Sequence, residues 1–176
     1  MKVVNIIGAM WGIVGISLIL ITAILRVYPH VIDAYNTGLS IIDWLVLVIW
    51  CIFMIIAEGY RGFQKNFSPR VASRTWYLVS NGKAIDLLLA PLFGMCYFHS
   101  SKRRIITSWS LTVGIISLIA LVRLFPQPWR GIVDSGVALG LAYGFVWIYI
   151  FLIMTIKKQN YLVSPELTDT DSHINS

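Results

Sequence analysis

The residues that could do chemistry in this chain are concentrated between Glu58 and Arg104. This stretch holds eight of the fourteen Lys and Arg residues, together with two acids and a histidine. Cations beside acids could bind an anionic group or exchange a proton. The candidate residues for binding a ligand or a lipid headgroup are Glu58, Arg61, Arg70, Arg74, Asp86, His99, Arg103 and Arg104.

The sequence lacks the motifs that would turn these residues into a recognised catalytic site. No serine lies in a GxSxG turn, and no His/Glu pair has the spacing of a metalloprotease. Cys51 and Cys96 lie in apolar segments without a CxxC pattern, and the three histidines are not placed to hold a haem. We therefore predict no catalytic residue, no metal site and no cofactor.

A second set of charged residues belongs to a pattern that occurs twice. Residues 23–29 (AILRVYP) match residues 120–126 (ALVRLFP), and each is followed by an apolar segment with an aspartate near its start. A duplicated two-helix hairpin would explain this match, and so would chance. The pattern predicts the ion pairs Arg26–Asp43 and Arg123–Asp134 at the outer membrane interface. In the alternative interpretation, the arginines extend towards the headgroups and the aspartates cap helix starts.

The composition indicates which elements must position these residues. Mean hydropathy is +0.76, and only 12% of residues are charged, compared with roughly 25% in an average soluble domain. We predict an all-α fold, a polytopic transmembrane bundle occupying residues 1–158. Apolar runs long enough to cross about 30 Å of hydrocarbon predict four full spans, at about residues 6–25, 41–57, 105–125 and 132–156.

The segment between the second and third spans, residues 58–104, is predicted to be cytoplasmic. Its apolar part, residues 84–99, is short for a span and is interrupted by Pro91 and Gly94. We therefore expect a short re-entrant or interfacial helix, and five full spans are the alternative. The polar tail, residues 159–176, has few apolar residues and is predicted to be disordered.

Charge asymmetry predicts the orientation. With four spans, eleven Lys and Arg residues fall on the side of both termini and three on the other. The positive-inside rule then places both termini and residues 58–104 in the cytoplasm, in a multi-pass protein of the bacterial plasma membrane. Because topology accounts for most of the formal charge of +6, we expect no nucleic-acid partner.

Three functions remain open at this stage. The first is a non-enzymatic protein that binds anionic lipid headgroups or a membrane-protein partner through its basic cytoplasmic segment. The second is a small transporter or channel, which would need a homo-oligomer because four spans make a narrow bundle. The third is an enzyme on a lipid-linked substrate, which requires Glu58, Arg61, Asp86 and His99 to converge.

Overall fold

The computed structural model describes residues 3–167, and in this part of the chain all regular structure is helical. Seven α-helices and one π-helical segment follow one another along the chain. They are α1 (Val3–Asn36), α2 (Ile41–Met54), the π-helical segment (Ile55–Phe67), α3 (Ser68–Asn81), α4 (Ala84–Leu88), α5 (Ala90–Gly94), α6 (Lys102–Val122) and α7 (Trp129–Lys158).

The prediction of an all-helical protein with four helices long and apolar enough to cross a membrane is confirmed for the described residues. Four helical stretches are long and apolar enough to cross a membrane: Val3–Asn36, Ile41–Asn81, Lys102–Val122 and Trp129–Lys158. The second of these joins α2, the π-helical segment and α3 into a single stretch of 41 residues.

Helices α1 and α7 run antiparallel and form the centre of the bundle. At one end a Cβ on Gly131 would lie 2.3 Å from the Cβ of Ala34, so the two backbones touch. Further along, the Ser17 and Tyr149 hydroxyls are 2.8 Å apart. The main apolar core forms where α3 packs against both helices, and its buried members are Ile16, Leu20, Val71, Ala72, Ile148 and Leu152.

Helix α1 extends beyond the predicted end of the first span. The sequence predicts a loop from Arg26 because Pro29 lacks a backbone N–H, yet the helix continues to Asn36. The extra turns are held by packing on α7, since Gly131 leaves room for the His30 carbonyl and for Ala34. Tertiary contact therefore outweighs the hydrogen bond that the proline removes.

The second helical stretch is longer than predicted, since the prediction ended the second span near Ala57 and made residues 58–104 a cytoplasmic segment. The π-helical segment instead packs along a row of glycines on α7. Trp50 lies against Gly136, Glu58 against Gly140 and Phe63 against Gly144. Glu58, Gly59 and Phe63 of this segment face α7. Its exposed polar residues give residues 58–67 the composition of a surface segment.

The apolar piece at residues 84–99 forms two short helices and an irregular connection rather than one helix. Helices α4 and α5 fit the glycine-lined face of α1, where Leu87, Ala90 and Pro91 lie over Gly8, Gly12 and Gly15, respectively. The Trp11 indole N–H donates to the Leu88 carbonyl at 3.2 Å. The glycines of the first predicted span therefore receive this segment.

Helix α6 contacts the rest of the described chain at few points. Ser108 donates to the Met95 carbonyl at 2.9 Å, and Thr112 bonds to the Tyr97 hydroxyl. The large apolar side chains along most of its length are exposed. Such a surface fits a lipid environment, since water would leave it unfavourably solvated.

Candidate functional site

Arg74 is the most constrained charged residue of the described chain. Its side chain is 0% exposed, and the guanidinium lies 3.9 Å from the centre of the Phe93 ring. It donates to four backbone carbonyls: Phe93 at 2.7 Å, Pro165 at 2.8 Å, and Phe98 and His99 at 3.1 Å each. A cation can be buried at low cost only when its N–H groups are hydrogen-bonded in this way. Arg74 therefore fixes the connection after α5 and the tail onto α3.

Asp86 and His99 form a pair next to this arginine. The buried Asp86 carboxylate, 2% exposed, lies 2.6 Å from His99 Nδ1. The backbone of His99 is left-handed, with φ 45°, and its carbonyl is one of the four that Arg74 binds. The acid thus sets the orientation of the imidazole. His99 is partly exposed, which leaves its surface open to a ligand.

The tail docks on the same region through Glu166. Its carboxylate accepts two hydrogen bonds from Arg104, one from Nε to Oε2 and one of 3.0 Å from Nη2 to Oε1. Its carbonyl accepts from Ser101 N at 3.1 Å and from Ser100 Oγ at 3.2 Å. Residues 159–167 therefore make defined contacts where the sequence predicts disorder. The remainder of the predicted disordered tail, residues 168–176, lies outside the described residues.

The Glu166 contact gives docking of the tail a pH dependence. The hydrogen bonds from Arg104 hold the pKa of Glu166 below its ordinary value of 4.5. The contact therefore stabilises the docked tail above that pH and is lost as pH falls through the lowered pKa. For a pair this exposed we expect a contribution of about 0.2–1 kcal/mol.

A nitroxide on Val163→Cys, with Cys51 and Cys96 replaced by alanine, would report this docking. We expect its mobility to rise as the pH is lowered below 4.5. In the Glu166→Gln variant the mobility of the label should no longer change over this pH range, because the titrating carboxyl is gone. The same rise in mobility below pH 4.5 in that variant would show that the contact of Glu166 with Arg104 is not its cause.

The structure brings together only part of the predicted site. One region holds Arg70, Arg74, Asp86, His99 and Arg104. Arg70 lies near Arg104 and Glu166, and Arg74 lies near Asp86 and Glu166.

Glu58 lies elsewhere. It packs on Gly140, eight residues along α7 from the core residue Ile148, a rise of about 12 Å. Arg61 is exposed on the π-helical segment, and Arg103 is exposed in the first turn of α6. The four-residue convergence that an acid–base site requires is therefore not formed.

The two predicted outer ion pairs are not formed among the described residues either. Asp43 completes a capping box with Ser40 at the start of α2, as the alternative interpretation has it. Asp134 is buried on α7 near His30 and Arg130, and these two side chains bond to each other at 2.6 Å. Contact between α1 and α7 thus replaces the pairing suggested by the repeat.

The sequence did not indicate that Glu166, Ser100 and Cys96 lie beside the region that holds Arg74, Asp86 and His99. Cys96 is buried with φ 62° and lies near Arg70, Arg74 and Arg104. A signal for tail docking does exist in the sequence, because Tyr161-Leu162-Val163 is an apolar run inside the polar tail. Among residues 3–167 no group of His, Cys, Asp and Glu could hold a metal ion.

No protein-family model, curated protein or solved structure matches this chain. The geometry of the basic region therefore carries the functional argument alone.

Proposed function

We propose that the chain is a multi-pass protein of the bacterial plasma membrane that binds anionic lipid headgroups at its cytoplasmic end. Four spans with both termini in the cytoplasm are supported by the four apolar helices and by the charge asymmetry of the sequence. The lipid bilayer is then the solvent of the exposed apolar side chains, including those of α6.

In this topology residues 84–99 form a re-entrant segment. Asp86 near the start of the segment lies 2.6 Å from His99 at its end, so the two ends of the segment lie together. Between these ends the segment follows α1 from Gly8 to Gly15. A chain that leaves and returns at the same end does not cross. Irregular backbone at this depth is tolerated where protein covers it, as α1 covers this segment.

The headgroup site is the inner basic cluster, which we define as Arg70, Lys102, Arg103 and Arg104. One observation carries the proposal: Arg70, Lys102 and Arg103 have no carboxylate within ion-pair distance among the described residues. Arg104 alone is paired, with Glu166. Unpaired cations at a membrane interface attract anionic headgroups, each contributing about 1 kcal/mol.

Titration of the detergent-purified protein with phosphatidylglycerol, followed by native mass spectrometry, would test this function. We expect preferential binding over phosphatidylcholine. The Lys102→Glu/Arg103→Glu variant should bind at least about tenfold more weakly, because both cations are reversed. Acids in the first turn of α6 favour its helix dipole, so the variant should still fold.

The matched control is Lys157→Glu/Lys158→Glu, which makes the same charge change at the exposed end of α7. Equal loss of binding in both variants would show that general charge, rather than the inner basic cluster, attracts the lipid. Equal affinity of the unaltered protein for both lipids would refute the proposal.

A further inference from the structure

The π-helical segment presents cations at a depth where hydrocarbon is expected. Helix α7 has 30 residues, about 45 Å, whereas about 20 residues cross the hydrocarbon core. Any run of about 20 residues within α7 includes both Gly140 and Gly144. Glu58 and Phe63 pack on these two glycines. Arg61, between Glu58 and Phe63, therefore lies at hydrocarbon depth, and Lys65 follows Phe63 after a rise of only about 3 Å.

The exposed polar residues of this segment are Arg61, Lys65 and Asn66. Their spacing of four and five residues places them on one face of the helix, which we call the cationic stripe. Asn66 Nδ2 donates to the Arg61 carbonyl at 2.6 Å, five residues back, as a π-helical register allows. The Asn66 carbonyl in turn accepts from Arg70 Nε. The stripe thus leads into the inner basic cluster.

The two cations of the stripe have no acidic partner in the described residues. The ion pairs of the described chain involve His99 with Asp86 and Arg104 with Glu166. Lys65 lies 4.7 Å from the centre of the Tyr60 ring, which is a weak substitute for a counter-ion. Charges at this depth are costly and are normally found with a partner or in a water-filled cavity.

The exposed cationic stripe could contact a second copy of this chain or a lipid phosphate, and its charge decides between these two partners. A second copy of this chain, placed symmetrically on the stripe, would bring the same cations face to face. A lipid phosphate is an anion with several acceptor oxygens and matches an arginine and a lysine four residues apart. Membrane phospholipids supply this group from both leaflets.

We propose that the cationic stripe binds phospholipid phosphates within the membrane and lets phospholipids exchange between the two leaflets. The headgroup moves along Arg61, Lys65 and Asn66 towards the inner basic cluster, while the acyl chains stay in the hydrocarbon beside α2. This inference uses the phosphate chemistry of the proposed function but assigns it to a different site. No covalent step is involved.

Vesicles of phosphatidylcholine and phosphatidylglycerol with a trace of a fluorescent phospholipid test the proposal, with dithionite added outside to quench the outer leaflet. We expect the purified protein to make the inner-leaflet dye accessible at least about tenfold faster than in protein-free vesicles, which corresponds to about 1.4 kcal/mol off the barrier. The Arg61→Gln/Lys65→Gln variant should fall to the protein-free rate. Arg61→Lys/Lys65→Arg should keep the activity, since it retains both charges.

The control Lys157→Gln/Lys158→Gln removes the same charge from the end of α7 and should exchange lipid like the parent protein. A parent rate equal to that of protein-free vesicles overturns the inference, as does full activity in Arg61→Gln/Lys65→Gln. Lys102→Glu/Arg103→Glu keeps the stripe. Unchanged lipid binding in that variant, together with exchange that is lost only in Arg61→Gln/Lys65→Gln, would reject the proposed function alone.

Water access gives a second readout that does not depend on lipid exchange. In a chain with Cys51 and Cys96 replaced by alanine, Lys65→Cys should react with a charged thiol reagent in vesicles. Ile116→Cys, 61% exposed in the middle of α6, should not. Equal protection of both positions, or an oxidative crosslink between copies through Lys65→Cys, would show that the stripe is covered by protein or lipid tails and would overturn the inference.

Discussion

Replacing Arg74 with methionine is expected to lower the thermal stability of the detergent-purified protein more than any other single change of a charged side chain. Methionine fills much of the volume but leaves four carbonyls without a donor. An unsatisfied buried acceptor costs about 1–3 kcal/mol, so a loss of at least about 3 kcal/mol is expected. For a chain of this size that lowers Tm by about 6–12 °C.

This effect can be measured by size-exclusion chromatography of heated samples, with the remaining folded protein detected by its intrinsic fluorescence. Arg74→Lys should also be strongly destabilised, because an ammonium cannot reproduce the fork of the guanidinium. Arg103→Met is the matched control, since Arg103 is exposed and its side chain makes no described contact. If Arg74→Met and Arg103→Met melt together, the buried hydrogen bonds do not stabilise the fold.

Gly131→Ala is expected to have the second large effect, by forcing α1 and α7 apart. The added methyl would lie 2.3 Å from the Cβ of Ala34 and 2.4 Å from the carbonyl oxygen of His30. A backbone atom cannot rotate away, so the helices must shift. Overpacking of this kind costs about 1–3 kcal/mol, and it should also loosen the His30–Arg130 contact.

Gly114→Ala makes the same substitution where no atom lies within 4 Å of the new methyl. In that exposed helix interior alanine should be neutral or stabilise by up to about 1 kcal/mol. The two variants therefore differ in sign as well as size, and melting curves recorded side by side would show it. A Gly131→Ala chain as stable as Gly114→Ala would contradict the close approach of α1 to α7.

Hydropathy alone predicts the four long apolar helices, because an uninterrupted apolar run of about 20 residues is stable only in lipid. The predicted ends of the helices are wrong where tertiary packing outweighs a local signal such as a proline. Pro29 would end α1 in isolation, and only the contact with Gly131 on α7 explains why the helix continues. That contact joins residues a hundred positions apart, and no local pattern encodes it.

The candidate site could likewise be predicted only in part from the sequence. The basic stretch and the acids within it are visible in the sequence, and Asp86 and His99 do meet. The burial of Arg74 could not be predicted, because its partners are backbone carbonyls, which every residue carries. The polar face of the π-helical segment has the composition of a surface loop. Its position beside Gly140 and Gly144 becomes visible only in the fold.

The central place of α7 also has a consequence for biosynthesis. Side chains from α1, α2 and the π-helical segment pack on the glycine-lined surface of α7, yet α7 leaves the ribosome after all three of them. The earlier helices must wait in the bilayer as separately inserted elements, as a two-stage assembly describes. A chain released before residue 129 would hold its helices without their common partner. Quality-control proteases should recognise it as an incomplete protein.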